Sequence, residues 1–73
     1  MSDTQKIYKK LGAQIRKLRM GQNMTQVELG RRADKDPQHI WRLEQGRINP
    51  TVRYLSAIAE ALDVPLKKLF DFD

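Results

Sequence analysis

Two short segments with helical patterning, separated by only three residues, limit most strongly what this chain can fold into. In the first segment, Thr25 can cap a helix and Glu28 can close a reciprocal capping box with it. In the second, Asp36 precedes Pro37, the order expected of an N-cap residue and a first helical residue that needs no N–H. Residues 34–36 leave room only for a tight turn. The sequence therefore predicts two short helices, helix two and helix three, joined by a three-residue turn.

The apolar spacing predicts three further helices around this pair. Helix one runs from Thr4 to Gln22, with apolar residues at spacings of four, four and three: Ile7, Leu11, Ile15 and Leu18. Thr51 caps helix four, whose expected buried stripe is Leu55, Ile58, Ala59 and Leu62. A last short helix begins at Val64 and Pro65 and carries Leu66, Leu69 and Phe70. The predicted fold class is all-α.

Residues with unusual backbone freedom mark the joints between these helices. Gly30 lies inside helix two, where glycine costs about 1 kcal/mol relative to alanine, and so it predicts another helix crossing close by. Asn23, Asp34 and Asp63 stand where helices end. These residue types tolerate the left-handed backbone that such ends require.

Length and composition favour one small binding domain over an enzyme. The 73 residues suffice for one domain at residues 4–70, with a frayed end at residues 71–73. The chain contains no cysteine and one histidine, and it has neither a phosphate-cradling glycine loop nor metal-ligand spacing. We therefore expect no catalysis, cofactor or metal. No apolar run is typical of a signal peptide or a membrane span, which favours a cytoplasmic protein.

The charge points to a polyanionic partner. Fourteen Lys and Arg residues against nine Asp and Glu give a net charge of +5, which favours nucleic acid first and an anionic membrane second. Membrane binding would need a basic amphipathic helix with a free apolar face, whereas the apolar stripe of helix one is needed for the core. Nothing in the sequence indicates a small-molecule ligand.

The order of these signals resembles the Cro and repressor type of helix-turn-helix domain, also called the XRE family. The resemblance runs from about Leu11 to Phe70 and rests on the segments LGAQIRKLR, MTQVELGRRA, IWRLEQGRINPT and LSAIAEALDVPLKKLF. It implies a five-helix fold like that of lambda repressor, with the helix-turn-helix formed by helices two and three. The implied function is sequence-specific binding of double-stranded DNA in transcription regulation, for instance as a repressor.

The resemblance assigns base reading to a recognition helix at residues 37–45. Pro37, Gln38 and Arg42 match positions from which family members reach base edges in the major groove. Glutamine suits bidentate bonding to adenine and arginine suits guanine, so Gln38 and Arg42 are the expected readers. Pro37 offers only an apolar contact, such as one to a thymine methyl.

Contacts with the DNA backbone are expected on both sides of these readers. Thr25 and Gln26 match positions at the start of helix two where members contact the backbone, and their amides would face phosphate. His39 is expected either to touch a phosphate or to be an ordinary exposed histidine. The segment after the recognition helix commonly follows the phosphate backbone, and its alternative here is a solvated loop. Its expected contact residues are Gln45, Arg47 and Asn49.

The resemblance also implies one structural pair and shows two departures. Arg19 and Glu44 match residues that form an ion pair between helices one and three in similar domains. Lys35 replaces the apolar residue that usually plugs the turn, although its aliphatic stem can cover the gap. Trp41 stands where a small or polar residue is usual. We expect either partial burial against helix two or contact with the DNA backbone or a partner.

A domain of this size makes few base contacts, so useful specificity implies a homodimer on a pseudo-palindrome with half-sites about 10 bp apart. The residues expected at the dimer interface are Leu66, Phe70 and Phe72. The chief alternative function is an antitoxin or another protein-binding module whose DNA binding is secondary. RNA binding is less favoured, because the sheet-borne aromatic pairs of common RNA modules are missing.

Overall fold

The computed structural model describes residues 3–73 as a cluster of short helices. It contains α1 (Asp3–Gly21), α2 (Gln26–Ala33), α3 (Pro37–Glu44), α4 (Val52–Ala61) and a 3₁₀ helix (Leu66–Phe70). No strand occurs within this described range. None of its helices is long and apolar enough to cross a membrane.

The last element corrects the expectation of a fifth α-helix. Leu66–Phe70 is a 3₁₀ helix of only five residues, in which the Lys68 N–H donates to the Pro65 carbonyl at 2.9 Å. Such i to i+3 bonds are favoured where a helical segment is too short to build α-helical bonds. Phe72 follows it half-buried and packs against the core.

The helices begin where the capping signals predicted. The Thr25 hydroxyl accepts from the Glu28 N–H at 3.0 Å, and the Asp36 carboxylate accepts from the Gln38 N–H at 2.7 Å. At α4, Thr51 accepts from the Tyr54 N–H at 3.0 Å. The Glu28 carboxylate pairs with Arg32 one turn later at 3.0 Å, so only the hydroxyl half of the expected capping box is formed among these contacts.

Three helix ends use left-handed backbone at the residues predicted for it. Asn23, Asp34 and Asp63 each have a φ of 57°. The helix predicted at residues 37–45 ends one residue earlier than expected, because Gln45 is the C-cap of α3.

The core lies where the helices face one another, and its largest fully buried side chains are Ile15, Leu29, Ile40, Leu43, Ile58, Leu62 and Leu69. The four residues predicted for the stripe of α4 are all buried. Ile7 is the exception among the predicted core residues, since its side chain is 48% exposed. The 19 residues of α1 span about 28 Å at 1.5 Å per residue, so its first turns run beyond the core that begins at Leu11.

A close approach between α1 and α3 occurs at Gly12, which the sequence argument did not single out. A Cβ placed on Gly12 would collide with the backbone carbonyl oxygens of Leu43 and Glu44. The middle of α1 therefore lies directly against the last turn of α3. A glycine inside a helical pattern was the signal that could have predicted this crossing, as it was used for Gly30.

Candidate nucleic-acid interface

A tight turn sets the start of α3 against α2. The Lys35 N–H donates to the Gly30 carbonyl at 2.7 Å, directly after the left-handed Asp34. A Cβ on Gly30 would lie 2.6 Å from the Lys35 carbonyl oxygen but 3.6 Å from Cγ1 of Ile40. The same Cβ would lie 3.4 Å from the Pro37 nitrogen, so the start of α3 passes close to Gly30 as expected, and the turn carbonyl is the tighter of the two constraints.

Lys35 closes this turn by lying over an aromatic ring. Its ammonium group is 4.6 Å from the centre of the Tyr54 ring of α4, within the range of a cation–π contact. Burial raises the pKa of the Tyr54 phenol, and its hydroxyl oxygen is buried without a hydrogen-bond partner. Lys35 thus occupies the position where similar domains usually have an apolar residue, and its ammonium group contacts the Tyr54 ring.

A buried ion pair holds the opposite end of α3. Arg19 Nε donates to Glu44 Oε2 at 2.6 Å and Arg19 Nη2 donates to Glu44 Oε1 at 2.9 Å. The Glu44 side chain is fully buried and that of Arg19 is 10% exposed. Arg19 Nη1 also donates to the Met24 carbonyl at 2.8 Å, and Gln26 Nε2 donates to Glu44 Oε1 at 3.1 Å. This network ties α1, the start of α2 and the end of α3 together.

The residues expected to read bases lie on the face of α3 that points away from the core. Buried Ile40, Leu43 and Glu44 define the inward face. At about 100° per residue, Gln38 and Arg42 lie opposite that face, and both are exposed. Because packing and the ion pair fix the inward face, the outward side chains are presented in a defined orientation.

Other polar residues extend this outward surface on both sides. Exposed Gln45 follows about 60° from Arg42 around the same axis. Pro37 and Gln38 share a shallow depression with Gln26 and Trp41. The side-chain amide of Gln26 donates to Glu44, which orients that side chain and leaves its Oε1 and its second N–H for other contacts. Thr25 is exposed beside it.

His39 is exposed on the flank of α3, about 100° from Gln38. It therefore lies at the edge of the surface formed by Gln38, Arg42 and Gln45, about 60° from Arg42. No group of three or more His, Cys, Asp or Glu side chains in residues 3–73 could hold a metal ion.

Trp41 is partly exposed and has a charged partner. Its side chain is 38% exposed, and the Arg47 guanidinium carbon lies 5.2 Å from the ring centre. The ring therefore links the outward surface of α3 to the segment that follows α3. This contact was missed from the sequence, because residues six positions apart across a helix end carry no periodic signal.

The segment after α3 forms one wall of a cleft whose other wall is α1. Gln45, Arg47 and Asn49 line the cleft together with Gln5, Tyr8 and Lys9. The first turns of α1 were not predicted to lie near the expected interface, since their position depends on the crossing at Gly12.

Comparison with known proteins identifies relatives of this arrangement. The model of the helix-turn-helix family matches residues 15–69. The uncharacterized HTH-type transcriptional regulator y4dJ of Sinorhizobium fredii is 39% identical over 56 residues, which cover 77% of this chain and 73% of that protein.

Solved structures show the same fold. The restriction-modification controller protein C.AhdI from Aeromonas hydrophila superposes with a TM-score of 0.85 at 27% identity, over 86% of this chain and 96% of that one. The clp gene regulator ClgR from C. glutamicum gives a TM-score of 0.82 at 25% identity, over 86% and 82%. The hypothetical transcription factor NHTF from Neisseria gives 0.85 at 26% identity, over 96% and 80%.

Proposed function

The chain belongs to the XRE-type helix-turn-helix family of transcription regulators, and from that premise we propose that it binds a specific double-stranded DNA operator with α3 in the major groove. The observation that carries this proposal is the division of α3 into two faces. Its inward face is buried and held by the Arg19–Glu44 pair, whereas its outward face presents exposed polar side chains. A rigidly held helix with polar outward residues suits base reading in the major groove.

Gln38 and Arg42 are the proposed base readers. Both are exposed on the outward face, and their side chains have the donor and acceptor geometry for adenine and for guanine respectively. Pro37 adds an apolar surface at the start of α3. His39 lies on the flank, so we assign it at most a contact with the DNA backbone.

The proposed backbone contacts bracket these readers. Thr25 and Gln26 offer the first backbone N–H groups of α2, which favour a phosphate because they lack partners within the helix. On the other side, Gln45, Arg47 and Asn49 offer side chains along the segment after α3. Contacts of this kind fix orientation on the duplex without carrying sequence information.

The proposed regulator acts as a homodimer on a pseudo-palindromic site. Phe70 is 45% exposed, and its ring centre lies 6.5 Å from that of Phe72. Leu66 and Phe72 are half-buried against the core, and we propose that their exposed parts and Phe70 contact a second copy. Sedimentation of the protein bound to operator DNA tests this point. A stoichiometry of one protomer per site would contradict the homodimer.

The decisive experiment is selection of bound duplexes from a random pool, followed by titration of the selected site. Gln38→Ala and Arg42→Ala are each expected to relax the preference at one position per half-site and to weaken specific binding by about 1 to 3 kcal/mol. Lys17→Ala is the control, since exposed Lys17 lies about 140° around α1 from Gly12, away from α3. If binding is unselective and both variants bind like the control, the proposed function is wrong.

A further inference from the structure

The first turns of α1 lie in contact with the segment that leaves α3. Gly46 has a φ of +73°, and a Cβ on it would lie within 2.9 Å of backbone and side-chain atoms of Lys9. The chain can pass so close to Lys9 only because residue 46 has no side chain. The position of Lys9 beside Arg47 is therefore fixed by backbone packing.

Lys9 and Gly46 both line an open cleft of about 650 Å³. One wall consists of Gln5, Tyr8 and Lys9, and the other consists of residues 45–49. The lining contains two cations, Lys9 and Arg47, and no acidic side chain. Amide and phenol groups supply hydrogen-bonding capacity between them. A cleft with this lining favours an anion with several acceptor oxygens.

Trp41 restricts where the Arg47 guanidinium can lie. The ring holds that group at 5.2 Å from its centre, and a cation over an indole face is stabilised electrostatically. Arginine loses much side-chain freedom when it binds, and a partner that already restricts it reduces that cost. Trp41 is thus a positioning residue for Arg47.

The length of α3 indicates which anion meets the cleft. Eight residues span about 12 Å, and the major groove is about 12 Å wide. If the start of α3 reads base edges, the segment directly after it meets the sugar-phosphate strand that borders the groove. We propose that Lys9 and Arg47 bind neighbouring phosphates of that strand, with Trp41 positioning Arg47. This proposal rests on the proposed function, and it extends the interface into turns of α1 that precede the family match at residues 15–69.

The test compares Lys9→Gln with Lys10→Gln on the selected site and on a scrambled duplex, each titrated from about 0.1 M to 1 M salt. Lys10 is the matched control, because it is exposed and lies about 160° around α1 from Gly12, on the side away from α3. One phosphate contact contributes about 0.9 to the slope of log affinity against log salt. The slope for Lys9→Gln is expected to be smaller than the wild-type slope by this amount. The difference corresponds to an affinity loss of about eightfold at 0.1 M salt, which disappears toward 1 M. The loss should be equal on both duplexes, and Lys10→Gln should keep the wild-type slope.

The outcomes separate this proposal from the proposed function. If the wild type selects a site but Lys9→Gln keeps its slope, or Lys10→Gln loses as much, the phosphate cleft is wrong and the regulator stands. If the wild type selects no site, both are wrong.

Trp41 is tested through its dependence on Arg47. Trp41→Leu is expected to weaken binding in the wild type but to have no further effect in an Arg47→Gln background, while Trp41→Phe restores most of the affinity. Independent, additive losses would overturn the positioning role. Trp41 is the only tryptophan in the chain, so its fluorescence provides a second readout. Arg47→Gln should shift the emission of the free protein, and an unchanged spectrum would also contradict the contact.

Discussion

The two ends of α3 are held by contacts of different kinds. At the C-terminal end, Glu44 is fully buried and bonded at both carboxylate oxygens to Arg19. At the N-terminal end, the turn is closed by Lys35, half-buried over the Tyr54 ring. The first contact needs two specific residues in one geometry, whereas the second needs only a long side chain over an apolar surface.

This difference shows at which end the orientation of α3 is fixed. A buried bidentate pair tolerates little displacement, because any movement leaves a charge without its partner. A cation over a ring changes energy slowly with position and stays partly hydrated. We therefore expect the C-terminal end to be intolerant of substitution and the N-terminal end to be tolerant.

The largest effect is expected from removing one half of the ion pair. Glu44→Leu leaves the Arg19 guanidinium buried, with the Met24 carbonyl as its remaining acceptor among the contacts described above, and such a change costs about 3 to 5 kcal/mol. The double variant Arg19→Met with Glu44→Leu removes both charges and should recover part of that loss. Urea unfolding followed by circular dichroism measures both. A double variant less stable than Glu44→Leu would show that the pair is not the main constraint at this end.

A second test of the same end concerns its close approach to α1. Gly12→Ala would place a methyl group against the Leu43 and Glu44 carbonyl oxygens, and overpacking of this kind costs about 1 to 3 kcal/mol. The control is Gly21→Ala, since a Cβ at Gly21 meets nothing within 4 Å and alanine favours the helix by about 1 kcal/mol. The two variants should move the unfolding midpoint in opposite directions. A shift of both in the same direction would contradict the crossing.

The same contrast explains how far the sequence could predict the structure. Thr25, Asp36 and Thr51 marked the starts of three helices because capping depends on residues three or fewer apart. The Arg19–Glu44 geometry agrees with what the family resemblance implied. The exposure of Ile7 and the Trp41–Arg47 contact depend on where helices lie relative to one another, and neither local spacing nor residue type determines that. The Gly12 crossing did have a signal, the glycine inside the helix, which the sequence argument applied only to Gly30.

The candidate site was predictable to a different extent on its two sides. Outward exposure of Gln38 and Arg42 follows from the 3.6-residue period once Ile40 and Leu43 are assigned to the core. The position of Lys9 beside the segment after α3 does not follow from any pattern in α1. It emerges only when the chain after α3 folds back against the first helix through Gly46.

At the N-terminal end of α3, the effects should be smaller. Lys35→Met keeps an apolar stem over the turn and removes the charge, and a cation–π contact at an exposed site contributes about 0.5 to 1 kcal/mol. Because the added apolar cover offsets this loss, we expect stability to stay within about 0.5 kcal/mol of wild type. Lys35→Ala removes stem and charge and should cost about 1 kcal/mol. If Lys35→Met lowers the free energy of unfolding as much as Lys35→Ala does, then the charge of Lys35, and not its aliphatic stem, stabilises the N-terminal end of α3.

The smallest effect at neutral pH is expected from Tyr54→Phe, which removes a buried hydroxyl without a partner. An unpaired buried polar group is costly, so the variant should be as stable as wild type or slightly more so. Burial raises the folded-state pKa of Tyr54 above its ordinary value of 10.0, so the folded protein holds the phenol proton more tightly than the unfolded chain does. The stability linked to that proton is complete below about pH 10 and is lost as pH rises through the raised pKa. Urea unfolding between pH 8 and pH 11 should therefore show wild type losing stability more steeply than Tyr54→Phe above pH 10, with lysine titration common to both. Parallel curves would mean that the phenol is hydrated in the folded protein, and that the cover provided by Lys35 is looser than the geometry indicates.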